Sequence, residues 1–135
     1  MSVTAERSDI PGEHPAAARI REYFAVFHRS DSAGYAAQWI YPAVFWSGSN
    51  WVVVPDPAAM ARNNDAYERA ERARGMVTGE VVELRCEPLS ASAALVFGRF
   101  DSRRADGSVI GITEAVYTVV LHEGAWRVAV CVMRG

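Results

Sequence analysis

Residues 108–133 read SVIGITEAVYTVVLHEGAWRVAVCVM, and the fold class is decided by their spacing. Ser108–His122 has the pattern of one long strand, Glu123-Gly124 of a tight turn, and Ala125–Met133 of a final strand. Period-two alternation puts Thr113, Ala115, Tyr117 and Val119 on one face, opposite Glu114, Val116, Thr118 and Val120. On the last strand Arg127, Ala129, Cys131 and Met133 oppose Trp126, Val128, Val130 and Val132. Both faces of this pair are apolar. An antiparallel sheet with one wet face should alternate cleanly, so the outer face is expected to be covered, most simply by a second copy of the chain.

Working back toward the N-terminus, Ala105-Asp106-Gly107 is a hairpin turn signal and Ala91–Asp101 the strand before it. Leu95, Phe97, Arg99 and Asp101 share a phase on that strand. Met76–Glu87 is another strand, ended by Pro88. Upstream the period changes from two to that of a helix. A third helix runs from the cap Asp56-Pro57 to about Arg74, with Gly75 as its stop. Its Met60, Asn63, Asn64 and Tyr67 form an inward face that is unusually polar. Asp65/Arg69 and Glu68/Arg72 are acid-to-base pairs suited to a solvated face. Before it, Val44–Trp46 and Trp51–Val54 flank the turn Gly48-Ser49-Asn50.

A first helix starts at Pro15 and carries Ile20, Tyr23, Phe24, Phe27 and His28 on one face. Ser30-Asp31-Ser32 breaks it and caps a second helix, which runs through Tyr35, Gln38 and Trp39 until Pro42 stops it. The whole is an α+β domain over 15–135, a curved antiparallel sheet with three N-terminal helices on one face, behind a loose tail over 1–14.

Composition narrows the function classes. The chain has 135 residues, of which 50% are hydrophobic and 22% charged, with a formal net charge of −2. That balance points away from nucleic acid and from a polybasic membrane surface. All 14 basic residues are Arg, which removes Schiff-base and Lys-nucleophile chemistry. No apolar run is long enough to cross a membrane, and the polar, acidic start does not read as a secretory signal. Cys86 and Cys131 belong to no CxxC or Cys/His cluster, so reduced thiols, a cytoplasmic setting and no metal are expected. No nucleotide-binding or zinc-protease motif occurs, and no cofactor is expected.

The element order, with YFAVFHRSDSAGYAAQWIYPAVFW (23–46) and the closing GAWRVAV (124–130), resembles the nuclear transport factor 2-like superfamily, in particular its SnoaL-like group. That resemblance implies a cone-shaped, cystatin-like α+β roll enclosing an apolar pocket, and dimerisation through the outer sheet face. The group holds ketosteroid isomerases, limonene-epoxide hydrolases and polyketide cyclases, but also non-catalytic association domains, so only the site can decide function.

By that resemblance Tyr23 falls where ketosteroid isomerases keep an oxyanion-hole tyrosine, and Tyr117 near their second donor. Ser47 takes the place of their general base, which disfavours ordinary ketosteroid isomerase chemistry. Arg99-Phe100-Asp101 matches the Arg-x-Asp of limonene-epoxide hydrolases, whose second aspartate is replaced here by Cys131. The candidate catalytic residues are therefore Tyr23, Arg99, Asp101 and Tyr117. The candidate ligand-binding residues are His28, Trp39, Phe45, Ser47, Tyr67, Phe97 and Cys131. Each has a structural alternative: packed aromatics, a solvated Arg99/Asp101 ion pair, an inert buried thiol. Glu114 is expected to pair with an arginine, Arg85 or Arg127, across a dimer interface. Two functions stay open: an apolar, aromatic-lined pocket for a ketone, epoxide or polyketide-like molecule, with cofactor-independent isomerase, cyclase or hydrolase activity, or a non-catalytic binding or dimeric association module.

Overall fold

A computed structural model describes residues 12–28 and 30–134, without the side chains of Phe27 and His28. The elements run α1 (Pro15–His28), α2 (Ser32–Ala36), β1 (Trp39–Trp46), β2 (Trp51–Val54), α3 (Pro57–Ala73), β3 (Thr78–Ser90), β4 (Ala93–Arg103), β5 (Val109–His122) and β6 (Ala125–Met133). The six strands form one sheet in the order β2-β1-β6-β5-β4-β3. Every neighbouring pair is antiparallel except β1 and β6, which run parallel. The helices cover one face, and the core between contains Ile20, Val54, Met60, Val96, Val119 and Val128, each under 2% exposed. Among the described residues no helix is long and apolar enough to cross a membrane.

Local chemistry sets the element ends. Asp31 caps α2 by accepting the Gly34 N–H at 2.9 Å, and Asp56 caps α3 by accepting that of Ala59 at 2.9 Å. Gly75, with φ +100°, supplies the left-handed residue after α3. Residues 1–11 of the expected tail lie outside the described residues. Just beyond them, Glu13 pairs with Arg21 at 2.8 Å and the His14 Nδ1 accepts the Ala16 N–H at 3.0 Å.

Four details of the sequence reading are corrected. The second helix stops at Ala36, and Trp39 already lies in β1, because the Gln38 carbonyl accepts the Val128 N–H at 2.8 Å. That bond starts the parallel ladder with β6, so Pro42 interrupts a strand, at a register break, instead of ending a helix. Pro88 likewise lies inside β3, an edge strand whose outer N–H groups need no partner. Glu68 does meet Arg72, at 2.9 Å, but is 8% exposed because the α1–α2 connection covers it and Ser30 donates to it.

Strand phase decides which side chains can meet. On β4 the buried phase is Ala94, Val96, Gly98 and Phe100. A Cβ on Gly98 would sit 2.5 Å from the Phe100 ring, so the missing side chain leaves that ring its place. Phe100 then stacks on Phe24 of α1, centroids 4.3 Å apart. This contact ties the first helix to β4, next to the β3 edge of the sheet.

Candidate functional site

Between the three helices and the buried face of the sheet lies a cavity of about 290 Å³. Three tyrosines meet at its deep end. Tyr23 comes from α1, Tyr35 from α2 and Tyr117 from β5, and each is at most 8% exposed. The Tyr23 and Tyr35 hydroxyls lie 2.7 Å apart and share a hydrogen bond. The Tyr117 ring meets Tyr23 edge-on, 5.4 Å between centroids, with its hydroxyl in hydrogen-bond reach of Tyr23. The Cys131 thiol on β6, directly across from Tyr117, completes the cluster.

Burial weakens all four as acids and holds them away from ionisation. It pushes Tyr23 and Tyr117 well above the usual phenol value; the Tyr35 and Tyr117 hydroxyls add to the effect at Tyr23, whereas at Tyr117 the Cys131 thiol adds to it and the bond to Tyr23 works the other way. Tyr35 is also raised by burial, although its bond to Tyr23 works the other way. The Cys131 thiol is pushed up to about 12 by the same loss of water. The deep end is therefore a set of neutral O–H and S–H groups. Such groups donate to an acceptor oxygen and do not remove protons near neutrality.

The walls are apolar: Phe24, Phe45, Val54, Met60, Phe100 and Met133. Toward solvent the lining turns polar, with Ser47, Asn63, Asn64, Tyr67, Ser102 and Thr113. Tyr67 is 46% exposed and lies within hydrogen-bond reach of Thr113 across this mouth. Ser47 is exposed there too and bonds to the Asn50 side chain at 2.9 Å. Among the described residues no carboxylate, imidazole or guanidinium lines the cavity.

Six of the expected site residues line the cavity: Tyr23, Phe45, Ser47, Tyr67, Tyr117 and Cys131. The side chain of His28 lies outside the described residues. Trp39 is buried behind the wall, 4.7 Å from the Phe45 ring and 5.9 Å from that of Tyr23. Phe97, Arg99 and Asp101 belong to the other face of the sheet, and their expected place in the pocket is corrected. Phe97 lies beneath the Arg85 guanidinium, 4.3 Å from its centroid. Arg99 pairs with Glu114 at 2.8 Å. Asp101 pairs with Arg103 at 2.8 Å, and that guanidinium holds its carboxyl below the usual range, as a fixed ion pair. Glu114 also meets Arg134 at 3.3 Å, so within its own chain its partners are Arg99 and Arg134.

A signal for the correct phase of β4 was present. One phase carries Arg99 and Asp101, whereas the other, Ala94 to Phe100, carries no charge, and the uncharged phase is the cheaper one to bury. The remaining lining residues, above all Tyr35, depend on how the α1–α2 turn folds back, which spacing does not specify.

The family described as NTF2-like protein (DUF6841) matches residues 13–135. The chain belongs to this family, and so to the nuclear transport factor 2-like superfamily. No curated protein shows significant similarity. Among solved structures it is similar to an NTF2-like protein with a cystatin-like fold from Novosphingobium aromaticivorans, at a TM-score of 0.71 and 15% identity over 88% of this chain and 78% of that one. A presumptive ketosteroid isomerase from Shewanella frigidimarina matches at a TM-score of 0.67 and 10% identity, over 90% and 96%. A presumptive calcium/calmodulin-dependent protein kinase II association domain from Xanthomonas campestris matches at 0.64 and 12%, over 94% and 91%. At these identities the likeness establishes the fold, and the two named functions differ in class.

Proposed function

We propose that this NTF2-like chain binds a neutral, largely apolar small molecule, with an acceptor oxygen of that molecule held by the buried tyrosine cluster. The observation that carries this reading is the Tyr23–Tyr35 hydroxyl pair at the end of an apolar cavity whose described lining holds no charged group. A charged ligand would lose its water there without gaining a counter-charge. A carbonyl oxygen would gain a donor in a dry site, where hydrogen bonds are strong. The volume is close to the lower end of ligand pockets, about 300–1,000 Å³, and favours a one- or two-ring scaffold. The chemistry on offer is polarisation of that carbonyl. Abstraction of a carbon-bound proton needs a base, and Ser47 at the mouth supplies none. Binding with polarisation is therefore favoured over isomerase chemistry. Thermal unfolding with α-tetralone, a two-ring ketone, tests the reading. The ligand should raise the midpoint of the wild type by mass action, and much less that of Tyr23→Phe. Equal behaviour of the two proteins would discard it.

A second reading concerns the outer face of the sheet. Trp46, Val132 and Val116 follow one another in register across β1, β6 and β5, as Val44, Val130 and Thr118 do beside them. At the β2 edge Trp51 is 59% and Val53 62% exposed. A continuous apolar band of this kind fits the same band on a second copy, giving a homodimer. Sedimentation equilibrium should give twice the chain mass, reduced to one by Val132→Asp; a wild-type monomer would remove the dimer.

A further inference from the structure

The polar mouth of the cavity has chemistry of its own. It is built from α3 on one side and from β4 and β5 on the other. Asn63 and Tyr67 lie one helical turn apart on α3, and both line the opening. Met60, a turn earlier, is 1% exposed and belongs to the apolar wall. The helix thus changes from apolar to polar along the depth axis of the cavity. Opposite it, Phe100 is paired with Thr113, and Ser102 follows on the same face of β4. Ser102 and Thr113 therefore face the same opening as Asn63 and Tyr67.

Two kinds of polar group stand there. Asn64 is 4% exposed and committed, donating to Ser32 Oγ at 3.0 Å. Tyr67 and Thr113 lie within hydrogen-bond reach of each other across the opening. The Asn63 carboxamide and the Ser102 hydroxyl lie on the lining without engaging another described side chain. A carboxamide and a hydroxyl both donate and both accept. They suit a hydroxyl or amide on a ligand. They offer no compensation for a carboxylate or an ammonium, because the described lining has no opposite charge.

We infer that the mouth is a second polar subsite, formed by Asn63 and Ser102 beside the Tyr67–Thr113 pair, so that the ligand is two-ended. Such a ligand is a neutral molecule with an acceptor oxygen at the buried tyrosines, an apolar body, and a hydroxyl or amide group at the opposite end. This inference rests on the deep tyrosine cluster binding the first oxygen, as proposed above.

Two probes separate the two claims. One is α-tetralone. The other is the analogue hydroxylated on the aromatic ring para to the carbonyl, which places a hydroxyl at the far end of the same body. Dissociation constants by titration calorimetry are compared for the wild type, Tyr23→Phe, and the double variant Asn63→Ala with Ser102→Ala. The mouth residues are exposed or half-buried, and the double variant should keep the wild-type circular dichroism. One added net hydrogen bond corresponds to about 5- to 10-fold tighter binding of the hydroxylated probe. That gain should vanish in the double variant, with the plain ketone unaffected. Tyr23→Phe should weaken both probes by a similar factor. Equal affinity of the two probes in the wild type, with both still sensitive to Tyr23→Phe, would overturn the mouth subsite and leave the deep site standing. A gain that survives in the double variant overturns it as well. Binding of neither probe removes the deep site and the mouth together.

Discussion

On the helix-facing side of β4 and β5, Gly98, Phe100, Ala115 and Tyr117 are buried, and the polar groups at the deep end of the cavity beside them are neutral hydroxyls and a thiol. On the opposite side of the same strands, Arg99 and Glu114 lie directly across from each other, joined by a guanidinium–carboxylate pair. Adjacent residues, Arg99 and Phe100, thus enter two different solvents. The difference teaches where electrostatic energy can be stored. An exposed ion pair is screened and contributes little. A buried hydroxyl that must stay neutral ties the stability of the fold to pH far more strongly. The inner face is therefore where titration and side-chain truncation should act, and the half-exposed Arg99 is where charge removal should be tolerated.

Alkali should break the comparison most strongly. Below the ordinary thiol value of 9.0 both the folded and the unfolded chain keep the Cys131 proton, and its contribution is complete. Above that value the unfolded thiol ionises, while the folded one waits until about 12, so stability falls in between. The loss is about 1.4 kcal/mol per pH unit for each such proton, on the order of 4 kcal/mol for the thiol by the end of the window. Tyr23, Tyr35 and Tyr117 start from the ordinary phenol value of 10.0, and because they too are raised they steepen the fall above it. Urea unfolding across this range should show the decline. Cys131→Ala should make it shallower by one proton, and Arg99→Ala should leave its slope unchanged. A stability that stays flat through this range would mean that water reaches the deep end.

Much of this arrangement is legible in the amino-acid sequence. The meander after α3, the caps at Asp31 and Asp56, and the cone expected from residues 23–46 follow from period, capping chemistry and resemblance. Tyr23, Tyr117 and Cys131 are singled out by the family resemblance, and helix face and strand phase are consistent with their lining the cavity. Arg99 and Asp101 point to the pocket only through a motif, Arg-x-Asp, that says nothing about which side of the sheet it faces. Gly98 shows why phase alone is incomplete. Its role is visible only when the Phe100 ring is seen in the space that a Cβ would fill. Trp39 reads as helical because its neighbours Ala36, Ala37 and Gln38 suit a helix, yet a long-range bond from Val128 ends that helix first. Local propensity lost to a tertiary contact 90 residues away in sequence, as Val128 to Gln38 is counted.

A pair of truncations sharpens the comparison at the level of single side chains. Phe100 is 2% exposed and holds both Phe24 and, edge-on at 6.2 Å, Tyr117. Phe100→Ala should cost about 3 kcal/mol, the lower end for buried aromatics, because the ring already borders a cavity and lacks neighbours on that side. Arg99→Ala removes a partner from Glu114 but leaves Arg134 in place at 3.3 Å. The Arg99 side chain is 41% exposed, so the pair is screened, and the loss should stay below about 1 kcal/mol. Urea midpoints of the two variants, measured side by side at neutral pH, give the ratio directly. If Arg99→Ala proved the costlier, the outer face would have to be drier than one chain makes it. The ion pair would then lie beneath a second copy, where removing one charge strands the other. The smaller of the two effects thus also reports on whether the outer face is covered.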